Sequence, residues 1–310
     1  MRHAARSSVG QYGVMIGLLS VMVVLSVLEP SFCTTYNLLN ILRQTSVIGI
    51  MAVGMTFVIL TAGIDLSVAS ILALTGVVCA SMEHGGWPVV VIVGGTLLLG
   101  AAIGTVNGVV ITLGKVTPFV VTLGMMSIAR GWAHIYTGAE SISGFGASFR
   151  FIGAGEIGHV PVPIIIFALT VSVAAVVLQH TVVGRYMYAI GGNEEAARLS
   201  GVRVRFYKAL AYSICGLTSG LGAIILTARL NAAESIAGMG YELDVIAAVV
   251  IGGTSLMGGR GGVWGTLIGA LLIGTINNGM NLLMISSYYQ LVVKGVIIVA
   301  AVLLDRLREE

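Results

Sequence analysis

The chain has 310 residues, of which 57% are apolar and 9% charged, and its mean hydropathy is +1.01. A soluble domain carries about 25% charged residues, so the composition excludes a water-facing globular surface, and the length far exceeds the roughly 20 residues that one spanning helix needs. The net charge of +3 offers no dense basic stripe for nucleic acid, while Cys33, Cys79 and Cys215 are odd in number and scattered, predicting small core residues and neither a disulfide framework nor a metal site.

Ten apolar runs, bounded by charges, prolines or glycine clusters, fall near 12–28, 44–61, 66–82, 88–112, 117–137, 161–179, 209–228, 242–257, 263–284 and 286–304. The first follows Arg2 and Arg6 as in a secretory signal, but it ends Ser26-Val27-Leu28-Glu29-Pro30 without a small-residue cleavage pattern, so it reads as a retained span. The eighth is short and runs into Gly252-Gly253 and Gly258-Gly259. Helices are the expected form, because lipid leaves no water to satisfy an open backbone and no barrel-like alternation is present. The predicted fold class is therefore all-α: a polytopic inner-membrane bundle of about ten transmembrane helices, forming a single transmembrane domain over 1–310.

Charge sets the expected orientation. With the amino terminus inside, the inside loops hold Arg2, Arg6, Lys115, Arg185, Arg198, Arg203, Arg205, Lys208, Arg260, Arg306 and Arg308. The outside loops hold Arg43, Arg150 and Arg229, and Arg130 and Lys294 fall within spans. This satisfies the positive-inside rule with both termini cytoplasmic.

Glycine is the second signal, with 43 residues. Gly100, Gly104 and Gly108 share a helix face, as do Gly216 with Gly220 and Gly265 with Gly269; such spacing lets backbones approach closely in lipid. Packing within one subunit is the expected use. The segment Ala52–Ser70, broken at Thr61-Ala62-Gly63-Ile64-Asp65-Leu66-Ser67, parallels Ala247–Thr266, broken at Gly252-Gly253-Thr254-Ser255. Paired interruptions of this kind make the halves a candidate pseudo-repeat flanking a transport path.

One polar segment, about 184–208, lies on the positive side. Within it Asn193 suits a helix N-cap, Glu194 and Glu195 the first turn, and Gly201 the C-terminal stop. Arg198 stands four residues after Glu194, in the favourable order for a pair. A helix this short is unstable in water by itself, so the subunit or a partner must hold it.

This segment is similar to the cytoplasmic loop of the sugar permeases of the ribose, galactose and xylose type in bacterial ABC importers. The resemblance extends over nearly the whole chain. Asn37-Leu38-Leu39-Asn40-Ile41-Leu42-Arg43-Gln44-Thr45-Ser46, Ala52-Val53-Gly54-Met55-Thr56 and Gly63-Ile64-Asp65-Leu66-Ser67-Val68 resemble the family's amino-terminal signature, and the run from Gly240 to Leu256 its carboxyl-terminal one. Within the family the likeness is greatest to the ribose permeases.

The resemblance implies a homodimer of permeases with the path at its interface, a separate ATP-binding cassette ATPase that carries ATP and Mg, and a periplasmic sugar-binding protein. It gives Gly191, Gly192, Asn193, Glu194, Glu195 and Arg198 the role of coupling to the ATPase. The chain has no phosphate loop of its own: Gly114-Lys115 is followed by valine rather than Ser or Thr. No cofactor is expected in this chain. The Gly153-Ala154-Gly155-Glu156-Ile157-Gly158 match lacks a strand–helix context. It falls in the long periplasmic loop 138–160, whose expected use is contact with the binding protein.

Asp65 is the sharpest acid in the membrane zone, where a charge faces a cavity or a partner; its setting after Gly63 also suits an N-cap. Asn107, Asn277 and Asn278 either meet sugar hydroxyls in a path or tie helices together. Arg130 and Lys294 need partners, with Glu242, Asp244 and Asp65 the available acids. His84, His134, His159 and His180 show no ligand spacing. A secondary, ion-coupled transporter is the main rival reading and a membrane-embedded enzyme the second; the first lacks coupling acids deep in the bundle and the second any clustered His/Asp/Glu motif.

Overall fold

The computed structural model describes residues 2–307, with side chains described over 13–303. Arg308 and the side chains of Arg2, Arg6 and Arg306, which enter the charge count above, lie outside the described residues.

In chain order the helices are α1 (Arg2–Leu28), α2 (Thr35–Leu60), α3 (Val68–His84), α4 (Val89–Gly114), α5 (Pro118–Thr137), α6 (Ala147–Ala154), α7 (Val162–His180), α8 (Val182–Gly192), α9 (Glu194–Leu199), α10 (Val204–Leu230), α11 (Tyr241–Ile251), α12 (Val263–Leu282) and α13 (Ser287–Leu307). A single 3₁₀ turn, Pro30–Cys33, joins α1 to α2. Four two-residue strands clip loops together: β1 (Ile142–Ser143) pairs antiparallel with β4 (Ala232–Ala233), and β2 (Glu156–Ile157) with β3 (Val160–Pro161). The fold is all-α, and α2, α4, α7, α10 and α12 are long and apolar enough to cross a membrane, with α3 and the apolar parts of α1 and α13 somewhat shorter.

The eighth apolar run departs from its expected form. No helix covers 242–257; α11 stops at Ile251 after 11 residues, about 16 Å at 1.5 Å per residue. The backbone then runs irregularly to Gly262. Gly253 and Gly258 adopt φ of +87° and +86°, a left-handed conformation that residues with a Cβ rarely enter. The sequence thus encodes a half-helix completed by glycine-shaped loop. Such backbone is tolerated at membrane depth only where protein covers it. Gly252, Thr254, Ser255 and Gly258 are buried, Gly252 against α12 and Gly258 against Ala62 and Gly191, while Met257, Arg260 and Gly261 are exposed. The segment 138–160 is likewise more structured than a loop, containing α6, whose Gly153 backs onto Ile225 and Arg229 of α10.

α2 is the centre of the bundle. Every residue from Thr45 to Leu60 is buried, packed among α7, α10, α11 and α12. Exposed apolar side chains instead line the outer helices, among them Val24, Leu98, Ile128, Ile135 and Val299. That inversion of the usual surface suits lipid and makes the chain a multi-pass membrane protein.

The glycine faces pack inside the subunit, as expected. A Cβ on Gly100 or Gly104 would overlap the backbone of Gly216 or Tyr212 in α10, and Gly265 and Gly269 lie equally close to Gly252 and Ala248. Gly104→Val should therefore force α4 from α10. Overpacking costs about 1–3 kcal/mol, so a drop in melting temperature of about 2–12 °C is expected. Gly94→Ala, on the open face of the same helix, should shift it by less than about 1 °C; equal melting of both variants would show that the seam has slack.

Two of the three cysteines, Cys79 and Cys215, are buried as predicted, but Cys33 is exposed beside Ser26, with Sγ and Oγ 2.9 Å apart. It sits in the 3₁₀ turn, whose inward residue is Phe32.

Candidate functional site

The polar segment 184–208 forms two helices. Thr181 caps α8 by accepting from the Gly184 amide, and Asn193 both ends α8 and caps α9, its Oδ1 accepting from the Ala196 amide at 2.9 Å. At the far end Gly201 takes φ +83°, and the Gly201 and Val202 amides donate to the carbonyls of Arg198 and Ala197. These paired bonds make a Schellman stop. Asn193 and Gly201 thus fill the places assigned to them.

The expected pairing of Glu194 with Arg198 does not form. Arg198 instead bonds Glu195 at 2.6 Å, and Glu194 reaches Lys208 on α10 at 2.5 Å. The reason is tertiary: the start of α9 lies against α10, so the cation fourteen residues on is nearer than the one four on. The hydrogen bond and charge of Glu195 hold the Arg198 guanidinium above its ordinary pKa. The short helix is held by its own subunit, since Ala197 is buried with Ile190, Val204 and Tyr207.

Gly191 links this loop to both helix breaks. A Cβ there would collide with the Leu60 carbonyl at the end of α2 and with the Gly259 amide in the 252–262 break. The Gly259 amide donates to that same carbonyl at 3.0 Å. On the other side of the break, Gly258 lies against Ala62 and Gly191. The Tyr188 hydroxyl donates to the Gly261 carbonyl at 2.9 Å; burial pushes its pKa up, keeping it protonated as that donor. Three segments far apart in sequence therefore meet within van der Waals contact. Gly192 faces open space, while Glu195, Arg198 and Leu199 point outward, the last 79% exposed. Sequence reasoning missed Leu60, Tyr188, Lys208 and Gly259; the unusual density of glycine at 252–262 was the available signal for the last.

The four candidate path residues do not converge. Asp65 and Asn107 are fully buried beyond the end of α2. Asp65 Oδ1 accepts from the Ser67 amide at 2.8 Å and from its hydroxyl, and Asn107 Nδ2 donates to that hydroxyl at 2.9 Å. The N-cap position of α3 belongs to Ser67, so Asp65 forms a turn two residues earlier and is not the cap. Asn278 lies at the opposite end of α2, in a reciprocal amide pair with Asn37 at 2.9–3.0 Å. The helix from Asn37 to its end at Leu60, about 35 Å at 1.5 Å per residue, therefore lies between Asn278 and the Asp65–Asn107 pair. Asn277 donates to Asp244 at 3.4 Å, and Lys294 bonds the same carboxylate at 2.7 Å. Arg130 donates to the carbonyls of Ser235 and Ala237, at 2.7 and 2.9 Å.

The chain matches the family described as branched-chain amino acid transport system / permease component over residues 37–302. It is 52% identical over 299 residues to the ribose import permease protein of Escherichia coli (strain K12), covering 95% of this chain and 93% of that protein. It is 51% identical over 297 residues to the ribose import permease protein of Bacillus subtilis (strain 168), covering 95% and 92%. The D-allose transport system permease protein of E. coli (strain K12) is 42% identical over 300 residues, covering 96% and 92%. No solved structure matches. These likenesses bear out the resemblance drawn from the loop and the two signatures. The chain belongs to the family of transport-system permease components, and is a transport subunit rather than an enzyme.

Proposed function

We propose that this chain is the membrane subunit of an ATP-binding cassette importer that moves ribose or a similar small sugar inward by alternating access. The observation that carries the reading is the contact of Gly191 with Leu60 and Gly259. It gives a push on the loop a direct route to two breaks in the bundle, which a mere surface connector would not need. Rigid elements that meet at a hinge transmit such displacements.

In this reading α9 docks on a separate ATPase that binds ATP and Mg, presenting Glu195, Arg198 and Leu199, while Gly191, Gly192, Asn193 and Glu194 position the helix. The periplasmic sugar-binding protein delivers substrate at the opposite end, where the 138–160 segment is its contact. Two copies of the permease form the path. The protein lies in the inner membrane with both termini cytoplasmic and about ten crossings, α11 with its break completing one of them, and the two broken pairs are pseudo-repeats. Lys115, Arg185, Arg203 and Arg260 at the loop end of the bundle support this orientation. Asp65 and Asn107 flank the inner end of the path, and Asn277 and Asn278 its outer half. The names of the relatives supply the sugar. The relatives' names do not favour the ion-coupled rival, and the buried acids are engaged within the subunit, Asp244 by Lys294 and Asp65 by Ser67.

The test is hydrolysis in proteoliposomes holding the chain, its ATPase and the binding protein. Sugar-loaded binding protein should stimulate hydrolysis, and Leu199→Asp combined with Arg198→Ala should remove at least ten-fold of the stimulation, because both side chains are exposed and Leu199 has no packing role to lose. Full stimulation in that variant would place docking elsewhere, and failure to assemble with any ATPase would overturn the importer reading.

A further inference from the structure

At the end of the bundle opposite the coupling loop, a cavity of about 380 Å³ opens between the start of α2 and the end of α12, and no charged residue lines it. On α2, Asn37, Asn40 and Gln44 stand at i, i+3 and i+7, a single helix face. On α12, Asn278 and Asn281 stand at i and i+3. All five amides line the cavity. Two amide stripes therefore face one another where a membrane bundle would ordinarily place leucine or alanine.

Their hydrogen bonds divide them into a floor and a working surface. The floor is the buried Asn37–Asn278 pair. Asn37 Nδ2 donates to the Phe32 carbonyl at 2.9 Å and to Asn278 Oδ1 at 3.0 Å, and its own Oδ1 accepts from Asn278 at 2.9 Å. Both donors of Asn37 are thereby used and its side chain is fixed. Above it, Asn40 Oδ1 accepts from Gln44 at 3.1 Å, and Asn281 Oδ1 accepts from Gln290 at 2.9 Å. Each is held by its oxygen, so the nitrogens of Asn40 and Asn281 stay available as donors, and Gln44 Oε1 as an acceptor, with no partner among the described residues. Tyr36, 81% exposed, stands at the rim and offers a ring face.

We propose that this cavity is a receiving site for a neutral polyhydroxylated ligand, a monosaccharide, ahead of the translocation path. Oriented amides pair with hydroxyls as donor and acceptor at once, and an exposed ring packs against the apolar C–H face of a pyranose or furanose. The lack of any charge favours a neutral sugar over an acidic or amino sugar, whose charge would be desolvated without a counter-ion. The volume lies in the range of small-molecule sites. The identity of the ligand as the transported sugar rests on the importer reading; the sugar-binding chemistry of the cavity does not.

The experiment uses the full chain assembled with its ATPase in lipid nanodiscs, and reads saturation transfer by NMR to D-ribose and to D-gluconate. Transfer to ribose with little to gluconate is expected, and Asn40→Ala/Asn281→Ala should reduce it at least five-fold. Tyr36→Ala, which alters only an exposed side chain, should reduce it two- to five-fold and carries the test if the double variant does not fold. Undiminished transfer in both variants, or equal transfer to gluconate, overturns the site. So does a double variant that keeps ribose contact and loses only its affinity for the binding protein, which would make the face a protein-docking surface. Ribose uptake by matching proteoliposomes separates the two conclusions. Parent vesicles that contact ribose without importing it would leave the site standing and sink the importer reading, whereas normal uptake with unchanged contact in the variants would do the reverse.

Discussion

Replacing Gly191 by valine is expected to abolish sugar-stimulated ATP hydrolysis and uptake while leaving the subunit folded and assembled. The site of the substitution has no free volume: the added Cβ alone would meet the Leu60 carbonyl and the Gly259 amide. These are the two ends of a single 3.0 Å hydrogen bond that joins α2 to the 252–262 break. Separating them removes that bond and lifts α8 from both breaks at once. Overpacking of this kind costs about 1–3 kcal/mol, and tenfold in an equilibrium follows each 1.4 kcal/mol. A loss of coupling of at least about ten-fold is expected, with Gly191→Ala intermediate. Gly192→Ala, whose Cβ would meet nothing, should cost at least five-fold less than Gly191→Ala.

The measurement is hydrolysis by the reconstituted assembly with and without loaded binding protein, beside the melting temperature of the subunit. A Gly191→Val protein that melts several degrees below the parent, as overpacking requires, yet still folds, assembles and hydrolyses ATP without responding to the binding protein is the expected result. Unimpaired stimulation would mean that the junction bears no load and that any signal from α9 travels through α10 by way of Glu194 and Lys208.

How much of this junction could be read in advance depends on the range of the forces that build it. The caps of α9 were legible because they are local: an Asn, two acids and a Gly at fixed offsets use backbone groups within a few residues, and the observed bonds fall at those positions. The spans were legible because lipid admits so few backbone arrangements. The helix α8 was not, since it begins directly after α7 and contains Gly184, Gly191 and Gly192, residues of low helix propensity that are there to admit neighbouring backbone. The partner of Glu194 was misassigned for a similar reason. Local spacing offered Arg198, but the packing of α9 on α10 brought Lys208 closer. The amide cavity was visible only in part: the α2 stripe can be seen by spacing, but nothing local says that Asn278 and Asn281 face it. Asn107, Asn277 and Asn278 were legible only as either path or tie, and the bonds of Asn278 to Asn37 and of Asn277 to Asp244 are contacts between helices that form only in three dimensions.

Lys294→Met is expected to be the most destabilising single substitution outside the glycine contacts. Asp244 is almost wholly buried on α11, and Lys294 on α13 bonds its Oδ2 at 2.7 Å, while Asn277 on α12 approaches the same oxygen. One carboxylate thus ties three helices, adding a polar link to the apolar packing of the half-helix α11. Removing the ammonium leaves a buried carboxylate without its counter-charge, which costs about 3–5 kcal/mol. At roughly 2–4 °C per kcal/mol for a chain of this size, a melting temperature lower by about 6–20 °C is expected in nanodiscs. Asp244→Asn should likewise destabilise, by stranding the ammonium. The double variant Asp244→Asn/Lys294→Met removes both charges and leaves an amide that Asn277 can still reach, so it should recover at least half of the loss. Two single losses that simply add in the double variant would show that the pair is not an energetic unit. Recovery would instead establish that Asp244 and Lys294 act as one compensated unit, which joins α11 to α13 beside the glycine contacts that pack α11 against α12.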